Sequence, residues 1–132
     1  MNRYKKFVKK GVRESFSKIP FHTNVPIKRL SMLSKKLVPT SNTHVAIHLV
    51  DYKHKKLPEY SFLHKHNADE INLIISENNK LKYEIQLDDE KYKVSSPSTV
   101  FIPKGVKHKA RFLSGTGIFV CIILSGKYTT SK

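Results

Sequence analysis

The chain is poor in cysteine, in acidic residues and in long apolar runs, and each shortage excludes something. Cys121 is the single cysteine in 132 residues, so no internal disulfide can form. A reducing compartment, and with it a cytoplasmic location, is the expectation. The thiol stands inside the apolar run 118–124 and reads as a small buried hydrophobe. No apolar stretch approaches the roughly 18 residues that a transmembrane helix needs. The basic N-terminus is not followed by an apolar run, so no secretory signal is expected. A mitochondrial transit segment fits poorly, because lysine outnumbers arginine there and serine is scarce.

Acidic residues number 10 against 25 lysines and arginines, which leaves a net charge of +15. The excess is unevenly placed. Residues 1–18 and residues 19–58 each carry seven basic side chains and one acid, whereas residues 59–132 carry eleven and eight, so +12 lies in the first 58 residues and +3 in the rest. Such a field attracts phosphates, nucleic acid or anionic lipid. Nucleic acid is not the expected partner. The aromatics do not interleave with the basic residues as a stacking surface, and no helix-turn-helix pattern is present. A solvated basic surface is the simpler reading.

At this length the chain is one domain with one core. Residues 3–19 show helical spacing, with Tyr4, Phe7, Val8, Val12, Phe16 and Ile19 on one side. Gly11 weakens such a helix by about 1 kcal/mol, and Pro20 ends it. Residues 1–20 are therefore read as a basic amphipathic arm, helical or extended. Its apolar stripe is expected to pack on the rest of the chain or on a second copy, a homodimer. A membrane surface is the lesser alternative.

Residues 21–132 read as one antiparallel β domain. Residues 27–33 lean to strand. In 44–52, Val45, Ile47 and Leu49 make an apolar face, and His44 and His48 on the other face are expected to meet solvent. A basic loop follows at 53–58. Beyond it, strands are expected near 60–66, 70–76, 81–87, 91–95, 99–102, 107–113 and 117–124, separated by turn signals. Many short strands at regular spacing indicate an all-β barrel or sandwich.

Two short stretches carry the chemistry. The first runs His64-Lys65-His66-Asn67-Ala68-Asp69-Glu70, the second Pro103-Lys104-Gly105-Val106-Lys107-His108. Residues two apart on a strand share a face, so His64 and His66 can enter one cavity. His66 and Glu70 would also share a face on a helix, but the flanks Tyr60–Leu63 and Ile71–Ile75 favour strands around a turn. Imidazole and carboxylate together suit Fe, Mn, Ni, Co or Zn. Each stretch alone is a weak signal, since histidines occur on polar strand faces without a metal. Their joint occurrence at a two-hairpin distance is the stronger observation.

The pair resembles the two motifs of the cupin superfamily, HxH with a following Glu, and PxGxxH. The resemblance covers roughly residues 58–126. Departures fall at turn or wall positions, namely Pro58, Glu77-Asn78-Asn79, Pro97 and Phe112. It implies an antiparallel jelly-roll barrel and a divalent metal held by His64, His66, Glu70 and His108. Four protein ligands leave about two positions on a six-coordinate ion for substrate or dioxygen. Strand parity then places Phe62, Asn72, Ile74, Ala110 and Phe112 on the pocket walls, with Lys107, Lys109 and Arg111 outside. Glu70 and Asn72 are the expected catalytic residues, Asn72 because its amide both donates and accepts. The family includes dioxygenases, decarboxylases and isomerases or epimerases. A metal-dependent enzyme acting on a small molecule is therefore the expectation, and a non-catalytic module for a sugar or organic acid is the alternative.

Overall fold

Period-two alternation governs most of this chain, and strands follow it. The computed structural model describes residues 3–51 and 57–132. Its strands are β1 (Val12–Glu14), β2 (Lys28–Leu33), β3 (His44–Val50), β4 (Lys65–His66), β5 (Glu70–Ile75), β6 (Leu81–Leu87), β7 (Glu90–Ser95), β8 (Ser98–Ile102), β9 (His108–Gly115), β10 (Gly117–Ile123) and β11 (Thr130–Ser131). A large sheet runs β1-β2-β3-β10-β5-β8 and a small one β7-β6-β9, while β4 pairs with β11. All registered pairs are antiparallel. Of the expected basic loop, only Leu57 and Pro58 lie within the described residues.

The two sheets meet in one core. Ile74 and Phe119 of the large sheet pack with Leu81, Tyr83, Ile85 and Phe112 of the small one. The Tyr83 and Phe119 rings stack across the interface, their centroids 4.6 Å apart. Glycine is required where β9 turns into β10. Gly115 has φ +103°, and a side chain there would run into the Lys80 carbonyl.

The N-terminal arm departs from the helical spacing. Residues 5–7 and 16–18 form single 3-10 turns, and between them β1 pairs with the edge of β2, Arg13 opposite Leu30. β-branched Val8 and Val12 around Gly11 favour extended chain, and the β2 edge offers hydrogen bonds a helix would not use. Phe16 alone of the stripe is buried, whereas Tyr4, Phe7, Val8 and Val12 stay exposed.

A second difference concerns β3. Ala46, His48 and Val50 point into the core, while Val45, Ile47 and Leu49 face outward and are half-buried. His48 is therefore buried, not solvated. The alternation of the sequence is kept, but the apolar face of β3 turns outward and the face with His48 turns inward.

The segment 60–66 is a strand only at its end. Its backbone is divided among several partners. Tyr60 accepts from Thr23, Phe62 donates to Phe21, and His64 pairs with His108. One regular ladder is thereby excluded, and side-chain alternation fails at Phe62.

Candidate metal centre

The two histidine-bearing stretches are stitched together by backbone. His64 N–H donates to the His108 carbonyl at 3.2 Å, and His108 N–H donates to that of His64 at 2.8 Å. Gly105 N–H reaches the His66 carbonyl at 2.9 Å. Gly105 has φ +85°, which a glycine adopts without strain. Asp69, in the turn before β5, accepts from Lys104 N–H at 2.8 Å and pins the second stretch to the first.

Within this frame His64, His66 and His108 are all buried, each with a ring nitrogen within 4.8 Å of the others'. Glu70 Oε1 lies 3.2 Å from His66 Nε2 and 3.1 Å from His108 Nε2. The structure thus groups the three expected histidines and sets Glu70 beside two of them, His66 and His108. On each histidine the other nitrogen is already used. His64 Nδ1 faces the Phe62 carbonyl at 2.6 Å and His108 Nδ1 faces that of Val106 at 3.1 Å. His66 Nδ1 lies 3.3 Å from the Thr129 carbonyl and 3.0 Å from Thr130 Oγ1. A proton on Nδ1, donated to a carbonyl, leaves the Nε2 lone pair free for the cluster, which is how second-shell groups orient metal-binding histidines. Asn72 Nδ2 likewise donates to Glu70 Oε2 at 2.7 Å, leaving Oε1 on the inner side.

The fit to a metal can be judged from what remains unsatisfied. Glu70 Oε1 and His108 Nε2 are buried and make no hydrogen bond among the described residues, although they nearly touch. Orphaned buried polar atoms are costly. Neighbouring donors bound at about 2.1 Å to one ion at right angles would stand about 3.0 Å apart, close to the spacing of Glu70 from His66 and from His108. The residues present therefore fit a divalent ion.

Charge at the cluster is set by burial and by Glu70. Burial drives the His64 imidazole down to about 4, so it is neutral at pH 7. Burial alone would lower His108 too, but the Glu70 carboxylate more than offsets this and raises it. Burial alone would raise Glu70, and the His108 and His66 rings with the Asn72 amide instead hold it well below the usual carboxylate range.

These groups line a cavity of about 340 Å³ together with His22, Arg29, His48, Tyr60, Phe119 and Tyr128. Among the expected wall residues, Asn72 and Ala110 line it. Phe62 lies outside, 44% exposed, because its segment is irregular. Ile74 and Phe112 share the right face but sit farther along their strands, buried in the apolar core. Lys109 pairs with Glu59 at 2.9 Å and Arg111 is exposed, both away from the cavity.

Three contributions come from residues that the two motifs do not contain. His22, its Nδ1 on the Pro20 carbonyl at 2.8 Å, lies against His64 with ring centroids 5.5 Å apart. Arg29 enters from β2. Tyr128 and Thr130 arrive through the short β4–β11 pair, the Tyr128 ring 5.1 Å from that of His66. The alternation of Arg29 and Ser31 with Leu30 was a signal in the sequence, but which side faced inward was not readable there.

No protein-family model matches the sequence, and no curated protein matches it. Solved structures do resemble the fold. KdgF from Halomonas sp. is 18% identical, with a TM-score of 0.55 over 76% of this chain and 79% of that one. A predicted oxalate decarboxylase from Thermotoga maritima is 16% identical, with a TM-score of 0.60 over 87% and 91%. The polyketide cyclase RemF from Streptomyces resistomycificus is 13% identical, with a TM-score of 0.63 over 100% and 84%. A cupin 2 domain-containing protein from Halorhodospira halophila is 14% identical, with a TM-score of 0.61 over 80% and 68%. Identities this low bear on fold alone, and the fold they share with this chain, around its buried three-histidine cluster, is that of the cupin superfamily.

Proposed function

We propose that this chain is a metal-dependent enzyme acting on a small molecule, with a divalent transition metal held by His64, His66, Glu70 and His108. The observation that supports the reading is the buried cluster of His64, His66 and His108, each oriented by a hydrogen bond at Nδ1, with the orphaned Oε1 of Glu70 beside His66 and His108. Fe, Mn, Ni, Co and Zn all accept this donor set. When bound, such an ion supplies a Lewis acid or a site for dioxygen. A dioxygenase, an isomerase or epimerase, or a decarboxylase would each use it.

The chain's own groups do the rest. Glu70 supplies the charged ligand. Asn72, expected to orient a substrate, also donates one amide N–H to Glu70 and so positions that carboxylate, while the residue lines the cavity. His22 adds a wall imidazole with Nδ1 on a backbone carbonyl, which leaves Nε2 as an acceptor for a substrate proton. Its presence favours an enzyme over the alternative, a non-catalytic module for a sugar or organic acid.

A second copy of the chain is the partner that the outside of the large sheet suits. Ile47, Leu49, Leu73, Ile118, Val120 and Ile122 share its outer face, with only Arg13 and Lys28 as charges, both toward the β1–β2 edge. An anionic surface or nucleic acid would need more cations there than Arg13 and Lys28 at one edge.

The test of the enzyme reading is a panel of sugars, organic acids and thiols assayed with the Fe, Mn, Ni and Zn forms for product and oxygen uptake. Turnover that disappears in Glu70→Ala is expected. Ligand binding without turnover in every metal form would leave the non-catalytic module.

A further inference from the structure

We infer that the ligand of this cavity is a small carboxylic acid whose carboxylate is held by Arg29; the inference rests on the reading above only in taking the histidine cluster as the place where the rest of the ligand reacts. Arg29 is 5% exposed and is the one lysine or arginine among the described residues lining the cavity. Its Nε donates to Glu14 Oε1 at 3.2 Å, and its Nη1 donates to His48 Nε2 at 2.8 Å. A guanidinium carries five N–H groups. With one on Glu14 and one on His48, three have no protein partner among the described residues. The side chain is held among protein, yet Arg29 borders the cavity, where its unpaired N–H groups can meet a ligand.

Among the described residues Arg29 has one ion-pair partner, Glu14, and its guanidinium carbon lies 6.0 Å from the centre of the Phe16 ring. His48 accepts from Nη1 only as a neutral imidazole, and burial followed by the charge of Arg29 keeps it neutral. Its ring is wedged against Phe16 and Phe119, at centroid distances of 4.9 and 5.2 Å, and cannot swing away. Glu14 lies across from Arg29 on the edge strand β1, its side chain 29% exposed, where water screens the pair. With a divalent ion on Glu70 and the three histidines, the cavity holds an excess of positive charge. A neutral ligand would leave that excess buried, and an anion would cancel it.

Geometry selects the kind of anion. The planar fork of a guanidinium matches a carboxylate through paired N–H donors. The remaining walls, Tyr60, Ala110, Phe119 and Ile123, are mostly apolar and suit a short carbon skeleton. A volume of 340 Å³ stands near the lower end of the range for ligand pockets, about 300–1,000 Å³. Strand β2 therefore supplies an anchor on one wall, and the β4–β5 and β9 stretches supply the reacting end on another.

The experiment compares butanoate with butanamide, a pair differing in charge but hardly in shape, by calorimetry on the whole chain in metal-free and zinc-loaded forms. Inorganic phosphate is a third probe. Butanoate should bind at least tenfold tighter than the amide in both forms. Arg29→Gln should remove that preference while zinc stoichiometry stays unchanged. Glu14→Gln, which removes the competing carboxylate and leaves Arg29 in place, should tighten butanoate, and it serves as the test should Arg29→Gln not fold. Equal binding of acid and amide, a preference retained in Arg29→Gln, weaker butanoate binding in Glu14→Gln, or phosphate binding tighter than butanoate would each overturn the inference. A chain that takes up no zinc yet prefers butanoate through Arg29 would support the anchor and remove the metal reading, so the two fail separately.

Discussion

The two main sheets of this molecule use the same alternation in opposite senses. In the small sheet, Leu81, Tyr83 and Ile85 of β6 face the core, and Lys82, Glu84 and Gln86 face outward. That is the ordinary arrangement of a half-buried antiparallel sheet. In the large sheet, the inner face carries Arg29, Ser31, His48, Glu70 and Asn72, all buried, and the outer face carries Leu30, Ile47, Leu73, Val120 and Ile122. The small sheet gives its inner face to the core, and the large one divides its inner face between the core, through Val50, Ile74 and Phe119, and the polar cavity. What an alternating strand buries thus depends on which wall of the molecule it forms.

The sharpest way to break this comparison is to remove a ligand. His66→Ala or His108→Ala should cost metal affinity by more than the roughly 10–100-fold typical of losing a supporting hydrogen bond, with the circular dichroism unchanged. Titration with zinc checks it. Should the metal-free protein itself prove unfolded, the ion is structural, and the separation between core and polar cavity disappears. Next in size is the small sheet. Ile85 is 1% exposed, and Ile85→Ala should lower stability by about 2–5 kcal/mol in urea while zinc affinity of the folded protein is kept. Asn72→Ala follows, expected to weaken zinc binding by about 10–100-fold because Glu70 loses its only described side-chain hydrogen bond.

How far the sequence foretold these roles can be argued residue by residue. That His64 and His66 share a face was legible because strand period is local, whereas the meeting of His108 with them was implied only by the resemblance to the two motifs, since the His64–His108 bridge joins distant segments. The strands of the small sheet were legible from the same local period, down to Leu81–Leu87. The anchor at Arg29 and the wall at His22 and Tyr128 were not, since topology alone brings residues 22, 29 and 128 to one cavity. β3 was misassigned because an apolar face is normally the inner one, and the large sheet reverses that rule. For the arm, expected to be helical or extended, Tyr4, Phe7, Val8, Val12 and Phe16 satisfy a helical period, and the free edge of β2 selects the extended form at β1.

A smaller effect concerns acid. Burial lowers His22, His44, His48 and His64, the last to about 4. An unfolded chain takes up protons near the ordinary value of about 6.5, and the folded one refuses them. Stability therefore falls as pH drops from 6.5 towards 4, because the unfolded state binds more protons. Glu70, held low, adds to the loss at more acid pH, and the raised His108 opposes it. Urea midpoints of the metal-free protein at pH 7 and pH 5 should differ in that direction. The smallest effects belong to the outer surfaces. Lys93→Ala on the small sheet should change stability by no more than about 0.5 kcal/mol. Val120→Glu on the large sheet should leave the fold intact and separate a dimer into monomers by light scattering.

The most direct measurement is the metal content of the chain purified without a histidine tag, by elemental analysis, beside that of His108→Ala. The account predicts one divalent transition ion per chain, lost in the variant while the β-sheet signal persists. A folded protein that takes up no such ion on reconstitution, or a variant that retains it in full, would contradict it.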